Sequence, residues 1–210
     1  MIRVVIIDDH NLVREGLKKL LAAETDITVA GEAGEALAGL TVIESVAPDI
    51  VLLDVSLPGR SGLDILLDIR QRFPSVRVLM LSMHPEESYG VRALTAGASG
   101  YLGKDTVPEE LAAAIRRIHG GRKYITPELA ERLAEDLGKQ EVSEAHERLS
   151  QREFEVMLHI ASGKQPRDIA GILCIGERTV GTYRRRILEK LHLTSTADII
   201  HYVLDHRLLT

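Results

Sequence analysis

Short apolar runs alternate with longer amphipathic segments through the first half of the chain. Five such runs recur, each built mainly from Val, Ile and Leu: "RVVII", "ITVAG", "DIVLLD", "RVLMLS" and "SGYLGK". Runs that are apolar almost throughout are typical of strands covered by helices on both faces. We therefore predict five βα units that form an α/β domain with a doubly wound, five-stranded parallel sheet.

The C-terminal part shows the spacing of short helices instead: "SQREFEVMLHIASG", "PRDIAGILCI", "GERTVGTYRRRILEKLHL" and "STADIIHYVLDHRL". A tight turn around Ile175 and Gly176 joins the second and third, which predicts a small all-α helix-turn-helix domain. Ser150 and Glu153 have the spacing of a capping box at the first helix, and Pro166 suits position N1 of the second. In the last helix, three apolar residues could complete the core or serve a dimer: Ile199, Ile200 and Val203.

The segment between these parts is predicted to be a linker, since it starts with Gly-Gly and is strongly charged. Its one amphipathic helix opens on Thr126 with Pro127 at N1. The apolar stripe of that helix could pack on either domain or on a partner chain, and it consists of Leu129, Leu133 and Leu137. The polar run "GKQEVSEAHER" is the predicted flexible joint. We expect the domain boundaries 1–120, 121–147 and 148–210.

Composition supports two small globular domains in a chain of 210 residues, 45% of which are hydrophobic. The single cysteine, Cys174, excludes an intramolecular disulfide, and we expect it to be a small core residue. The chain has neither a secretory pattern nor a run approaching ~18 apolar residues, so no membrane partner and a cytoplasmic location are expected.

Charge is distributed unevenly along the chain. Residues 1–120 hold 12 Lys and Arg against 17 Asp and Glu, whereas residues 148–210 hold 10 against 7. A basic C-terminal part on an acidic chain is a hint of a separate nucleic-acid-binding module.

Polar residues follow the predicted strands at the edge where parallel sheets place their sites. Asp8 and Asp9 follow the first strand, Asp54 ends the third, and the others are Ser82, Tyr101 and Lys104. Crowded carboxylates raise one another's pKa unless a cation lies among them. Oxygen ligands without His or Cys at ligand spacing suit Mg²⁺, and a lysine beside them suits a phosphoryl oxygen. Acids that merely cap helices would explain any one of these positions but not the whole set.

The segments "VVIIDDH", "LLDVSLPGRSGLD", "VLMLSMH" and "ASGYLGKD" resemble the signature of a bacterial response-regulator receiver domain, which has a flavodoxin-like fold. The resemblance covers about residues 1–120. It implies that Asp54 is the phosphoacceptor and that Mg²⁺ is held by Asp8, Asp9, Asp54 and the backbone carbonyl of Ser56. It also implies that Ser82 and Lys104 contact the phosphoryl group and that Tyr101 changes rotamer on activation.

This resemblance implies phosphoryl transfer to Asp54 from a sensor histidine kinase, a phosphotransfer domain or a small acyl phosphate. A phosphatase of the haloacid dehalogenase type also uses a strand-end aspartate with Mg²⁺. That family needs a second acid two residues later, where this chain has Ser56. We therefore expect a regulator and not an enzyme. His84 is a candidate for tuning autodephosphorylation, although it could equally be a loop histidine without a role.

The predicted third C-terminal helix buries Val180, Ile187, Leu188 and Leu191, so positions 178, 181, 182 and 185 face outward. Arg185 is central on that face, between Arg184 and Arg186. In the major groove, Arg185 would contact a base edge and its neighbours would contact phosphates. Alternatively, the three arginines form a solvated face balanced by acids on the same helix.

Residues 148–210 resemble the LuxR-type helix-turn-helix of NarL/FixJ-class response regulators, and "TYRRRILEKL" is closest to the subgroup that answers phosphorelays. The resemblance implies contacts to double-stranded DNA from Arg178, Thr179, Thr182, Tyr183, Arg184, Arg185 and Arg186. A frequent DNA-contacting lysine is replaced here by Gly181, and a frequent histidine by Tyr183, so the contacts made by that lysine and that histidine are not expected in this chain. Gly176 stands where a serine N-cap is usual.

The sequence thus predicts a phosphorylation-dependent transcriptional regulator, the output component of a two-component system or phosphorelay. Homodimerisation on activation is expected, with an inverted-repeat operator, and RNA polymerase is a further possible partner. The alternative is a signalling adaptor that acts by protein contact and whose DNA-binding domain has degenerated. Gly181 is the feature that favours the adaptor.

Overall fold

The computed structural model describes residues 1–83, 86–104, 106, 108–138, 145–206 and 208–209. His84 and most of the predicted joint lie outside these residues. The described chain forms two compact units, Met1–Arg132 and Leu133–Thr210. None of its helices combines the length and the apolar character needed to span a bilayer.

The first unit is built on a five-stranded parallel sheet, as the apolar runs predict. The strands are β1 (Ile2–Ile7), β2 (Ile27–Ala33), β3 (Ile50–Asp54), β4 (Arg77–Ser82) and β5 (Gly100–Gly103). Their order in the sheet is β2-β1-β3-β4-β5, and all neighbouring strands are parallel. Because the chain moves outward in both directions from β1 and β3, a crevice forms at the carboxyl ends of these two strands.

Helices follow each strand: α1 (Asn11–Ala22), α2 (Ala36–Val46), α3 (Gly62–Arg72), α4 (Glu86–Thr95) and α5 (Pro108–His119). One core contains Leu52 and Leu79 of the sheet together with Ile115 of α5 and Leu21 of α1. On the other face α2 approaches closely, since a Cβ on Gly39 would lie only 2.6 Å from Ile7 Cδ1. Helices on both faces explain why the strands are apolar almost throughout.

Helix α6 (Pro127–Gly138) begins where the sequence predicts it. The hydroxyl of Thr126 accepts a hydrogen bond from Leu129 N at 3.2 Å, and Leu129 is buried. Before it, Tyr124 forms an isolated parallel bridge to Gly100 of β5. The start of the predicted linker is therefore attached to the first unit.

The second unit is helical. It contains a short 3-10 helix (Ala145–Arg148), then α7 (Gln151–Ala161), α8 (Pro166–Leu173), α9 (Glu177–Leu191) and α10 (Thr196–Asp205). The predicted capping box of Ser150 and Glu153 is present at α7. Ile199 and Val203 are fully buried, so in this chain both belong to a core, whereas Ile200 is half-buried.

The turn between α8 and α9 gives the helix-turn-helix. Cys174 ends α8 in the left-handed conformation at φ 52°, and Gly176 is the N-cap of α9. The expectation that Cys174 fills the core is wrong, because its side chain is exposed at this turn.

Candidate functional site

Two buried carboxylates lie side by side at the carboxyl edge of the sheet. Asp8 directly follows β1 and Asp54 ends β3, the strand that pairs with β1. Their exposed fractions are only 1% and 2%. The fold therefore removes two charged groups from water at one point, which is costly unless a partner compensates them.

Lys104, directly after β5, is that partner. Its ammonium lies 2.7 Å from Asp8 Oδ2 and 2.8 Å from Asp54 Oδ2, and its side chain is 4% exposed. The backbone fixes this arrangement, because Lys104 N donates to the carbonyl of Ser82 at the end of β4 at 2.8 Å. Lys104, Asp54 and Asp8 thus form one buried ionic cluster.

Burial and pairing act on Asp54 in opposite directions. Burial raises the pKa of Asp54 to about 6, although the charge of Lys104 and its hydrogen bond act to lower it. For Lys104, burial acts to lower the pKa, but the Asp54 and Asp8 carboxylates outweigh it and the pKa is raised. The lysine is therefore held as a cation, and Asp54 is a carboxylate at neutral pH.

Asp9 and His10 complete the cluster on its exposed side. Ligand atoms of Asp8, Asp9, His10 and Asp54 lie within 4.8 Å of one another. His10 Nδ1 is 2.8 Å from Asp9 Oδ1, and His10 N donates to Asp8 Oδ1 at 2.9 Å. Three carboxylates at this spacing fit a hard cation such as Mg²⁺. His10 was not among the predicted site residues, although its position directly after two strand-end aspartates was a signal in the sequence.

The loop after β3 folds back tightly onto Asp54. A Cβ on Gly62 would lie 2.0 Å from the carbonyl oxygen of Asp54, so this position accepts only glycine. Ser61, fully buried, caps α3 by accepting a hydrogen bond from Leu63 N. In this loop Gly59 has φ 75°, in the region that glycine favours. These constraints hold the backbone around Asp54 in place.

The remaining predicted site residues occupy different depths. Ser56 is exposed beside the cluster, and its backbone N–H donates to Asp54 Oδ1 at 3.1 Å. Ser82 is buried at the end of β4, opposite Gly103 in the sheet. Tyr101 is completely buried in β5, opposite Met80. Ser56 and Ser82 thus lie at the same edge of the sheet as Asp54. Tyr101 is buried within β5, three residues before Lys104.

Helix α9 of the second unit has a buried face and a basic face. Val180, Ile187 and Leu191 are buried, while Leu188, expected with them, is half-buried. On the other side, four residues of the predicted DNA contacts are exposed: Arg178, Thr179, Arg185 and Arg186. Thr182, Tyr183 and Arg184 are half-buried.

The three consecutive arginines are not equivalent. Arg184 Nε donates to Thr196 Oγ1 at 2.8 Å, so this side chain ties α9 to the start of α10. Arg185 Nε lies 3.8 Å from Glu189 Oε1, a long pair between exposed groups that is worth little. Thr182 donates its hydroxyl to the carbonyl of Arg178. Arg185 and Arg186 are therefore the arginines of this run that extend from the helix.

Helix α9 is fixed to α7 through the capping box. Lys190 Nζ lies 2.6 Å from Glu153 Oε2, whose carboxylate is 3% exposed and also accepts from Ser150 N. Burial acts to raise the pKa of Glu153, but the hydrogen bonds from Lys190 and Ser150 lower it. Lys190, Glu153 and Ser150 therefore hold α9, with its basic face, against α7.

Comparison with known proteins places both units. Residues 4–116 match the response regulator receiver domain, and residues 147–203 match the bacterial regulatory proteins of the luxR family. The transcriptional regulatory protein MctR of Rhizobium johnstonii is 37% identical, covering 100% of this chain and 96% of that protein. The response regulator GacA of Pseudomonas aeruginosa is 35% identical, over 98% and 97%.

A solved structure of the RcsB response regulator of Salmonella typhimurium, described for its conformational dynamism for DNA interaction, is 25% identical. It matches with a TM-score of 0.68 and covers 97% of each chain. Sequence and fold agree over both units and in the same order along the chain. The chain belongs to the bacterial response regulators that carry a receiver domain followed by a LuxR-family helix-turn-helix domain.

Proposed function

We propose that this response regulator binds DNA under the control of phosphorylation at Asp54. The observation that carries the proposal is the contact of Lys104 with both Asp8 and Asp54 at the carboxyl edge, beside exposed Asp9. Such a cluster provides a nucleophile, a cation for phosphoryl oxygens and a set of oxygen ligands in one place. The LuxR-family domain supplies the output.

In the proposed reaction, a carboxylate oxygen of Asp54 attacks the phosphorus of a phosphohistidine or an acyl phosphate. A bond forms between Asp54 and phosphorus while the bond to the donor nitrogen or oxygen breaks, and the electron pair leaves with the donor. Mg²⁺ held by Asp8, Asp9, Asp54 and the Ser56 carbonyl would neutralise charge on the phosphoryl oxygens. Lys104 then exchanges its contact with Asp54 for one with a phosphoryl oxygen.

The residues near Asp54 favour a lasting acyl phosphate over turnover. Ser56 stands at the position where a phosphatase of similar chemistry has a second acid, so a general acid is lacking there. This supports a switch whose state persists, as a transcription regulator requires.

Output through DNA is supported by the exposed arginines of α9. Arg178, Arg185 and Arg186 are exposed. In the proposed complex Arg185 would contact a base edge, and Arg178 and Arg186 would contact phosphates. We further propose that activated chains bind as homodimers at inverted half-sites, since one small domain gives modest affinity. A histidine kinase or phosphotransfer domain would supply the phosphoryl group, and RNA polymerase would be contacted at the promoter.

The alternative of an adaptor that acts by protein contact is favoured by Gly181 alone. This residue leaves the outward face of α9 without a side chain where a lysine is frequent. The basic residues around it, however, remain exposed on α9.

Selection of DNA from a random pool tests the proposal, using the full chain and Asp54→Asn at ~150 mM salt with acetyl phosphate and Mg²⁺. We expect an inverted-repeat motif that is enriched only by the phosphorylatable protein. Enrichment of the same motif by both proteins would refute control through Asp54. Enrichment by neither, despite confirmed phosphorylation, would favour the adaptor.

A further inference from the structure

Arg14, the fourth residue of α1, reaches back to the loop that carries the acidic pair. Its Nη1 donates to the backbone carbonyl of Asp8 at 2.7 Å, and its Nη2 donates to Asn11 Oδ1 at 2.9 Å. One guanidinium thus spans the loop between β1 and α1, binding its first residue and the first residue of the helix. Its planar fork suits two such contacts at once.

The other contacts of this loop act mainly on Asp8, which Lys104 and His10 N both bind, while Asp9 lies 2.8 Å from the exposed ring of His10. His10 is the N-cap of α1, and among the described residues its side chain makes no capping hydrogen bond. Asp9 lies on the exposed side of the cluster. A helix start without a side-chain cap leaves the position of the preceding residues weakly determined. The Arg14 contacts are therefore well placed to fix where Asp9 lies relative to Asp8.

The structure also shapes a slot for the guanidinium. Glu32 of β2 lies 3.5 Å from Arg14 Nε and is held in turn by Lys18 at 3.0 Å. A Cβ on Gly34 would lie 3.3 Å from Arg14 Nη1. The Arg14 side chain is only 15% exposed. A long cationic side chain kept in one half-buried orientation indicates a positional role.

We propose that Arg14 is a positioning residue for the metal-binding loop, holding Asp8 and Asp9 in the arrangement that binds Mg²⁺. The inference rests on the proposed use of this site for Mg²⁺. Groups that orient metal ligands without touching the metal commonly change affinity by about 10-fold to 100-fold when removed. Arg14 reaches the ligands through the backbone of Asp8 and through the first turn of α1.

Arg14 could act on Mg²⁺ binding through its charge or through its positioning of the loop, and the two roles predict opposite effects when Arg14 is removed. If Arg14 acted only through its charge, removing a cation near the site would strengthen Mg²⁺ binding. If it acts by position, removal weakens binding. Arg14→Lys separates the two further, since it keeps the charge and loses the fork.

The test is Mg²⁺ binding to the full-length protein, measured by titration calorimetry for wild type, Arg14→Met and Arg14→Lys. Arg72→Met is the matched control, because it removes an exposed cation from α3 whose pair with Glu44 spans 3.6 Å. We expect about 10-fold weaker binding for Arg14→Met, an intermediate loss for Arg14→Lys, and wild-type affinity for the control. Thermal unfolding without Mg²⁺ verifies that each variant is folded.

Gly34→Ala provides a second variant, since its Cβ would crowd Arg14 Nη1 at 3.3 Å and shift it by a few tenths of an ångström while every charge is kept. It is expected to weaken Mg²⁺ binding as well. Unchanged or tighter binding in folded Arg14→Met would overturn the positioning role. Asp9→Asn distinguishes failure of the positioning role from failure of the proposed function. If the site does not bind Mg²⁺, wild type and Asp9→Asn will bind Mg²⁺ equally or not at all. If the site binds Mg²⁺, Asp9→Asn will bind it more weakly than wild type.

Discussion

The environment of Asp54 disfavours the ionised form of its carboxyl group. Asp54 is almost fully buried, and burial raises its pKa from 3.8 to about 6 despite the Lys104 ammonium. Because the folded pKa lies above the unfolded one, the native state binds more protons between about pH 4 and pH 6. The contribution of Asp54 to stability is present at lower pH and is lost as pH rises through this window.

Asp54→Asn should therefore be more stable than wild type at pH 7.5 without Mg²⁺, by up to about 3 kcal/mol. Near pH 4 the difference should shrink towards zero, because protonated Asp54 carries no buried charge. Calorimetric unfolding of both proteins across this range measures it. Glu44→Gln, at an exposed carboxylate on α2, is the control that should follow wild type. A constant difference at every pH would show that burial of the Asp54 charge is not the cause.

At the residue scale, sequence predicted the charged groups better than their surroundings. The convergence of Asp8, Asp54 and Lys104 follows from parallel topology, since all three come at carboxyl ends of strands. The slot for Arg14 could not be predicted, because it depends on Gly34, which directly follows β2 and is distant from Arg14 in sequence. The prediction that Cys174 fills the core was wrong for a related reason. Apolar character predicts burial, whereas Cys174 is exposed at the left-handed turn after α8, at φ 52°.

At the scale of elements, the strands and helix starts were predictable because their signals are local. Apolar runs gave the five strands, and Ser150 and Pro166 gave the starts of α7 and α8. Helical spacing alone could not predict which arginines of α9 are exposed and which bind another helix. Arg184 lies beside Arg185 in sequence but bonds to Thr196, a contact that only the packing of α10 creates.

Gly181 offers a test of how α9 is used. A Cβ there would meet no heavy atom within 4 Å in the described part of the chain, apart from its own helix backbone. Gly181→Ala should therefore stabilise the second unit by about 0.5–1 kcal/mol, as alanine favours helix. Gly171→Ala on α8 is the matched control, since it too meets nothing within 4 Å.

Both variants should gain similar stability in denaturant unfolding, but only Gly181→Ala should change DNA binding. The added methyl group lies on the face with Arg185, where it would contact the bases in the proposed complex. Equal DNA affinity and equal selected sequences for both variants would remove Gly181 from the interface.

At the scale of the whole molecule, the distribution of charge determines which residues can provide affinity for DNA. The chain carries a net charge of −5, while residues 148–210 alone hold three more basic than acidic residues. An acidic receiver domain does not attract DNA, so affinity must come from few, well-placed cations. Binding should consequently weaken steeply between about 50 and 200 mM salt.

Arg185 and Arg186 form a neighbouring pair with which the two kinds of contact can be separated. Arg185→Ala should cost about 1–3 kcal/mol on the selected site and much less on random DNA, if Arg185 contacts a guanine. Arg186→Ala should weaken both DNAs alike and reduce the salt slope by about 1, because a phosphate contact releases a counterion on any sequence. Titrations of phosphorylated full-length protein at several salt concentrations give both quantities. An equal loss on both DNAs for Arg185→Ala would make it a phosphate contact, and the sequence preference of this regulator would then lie with other residues of α9.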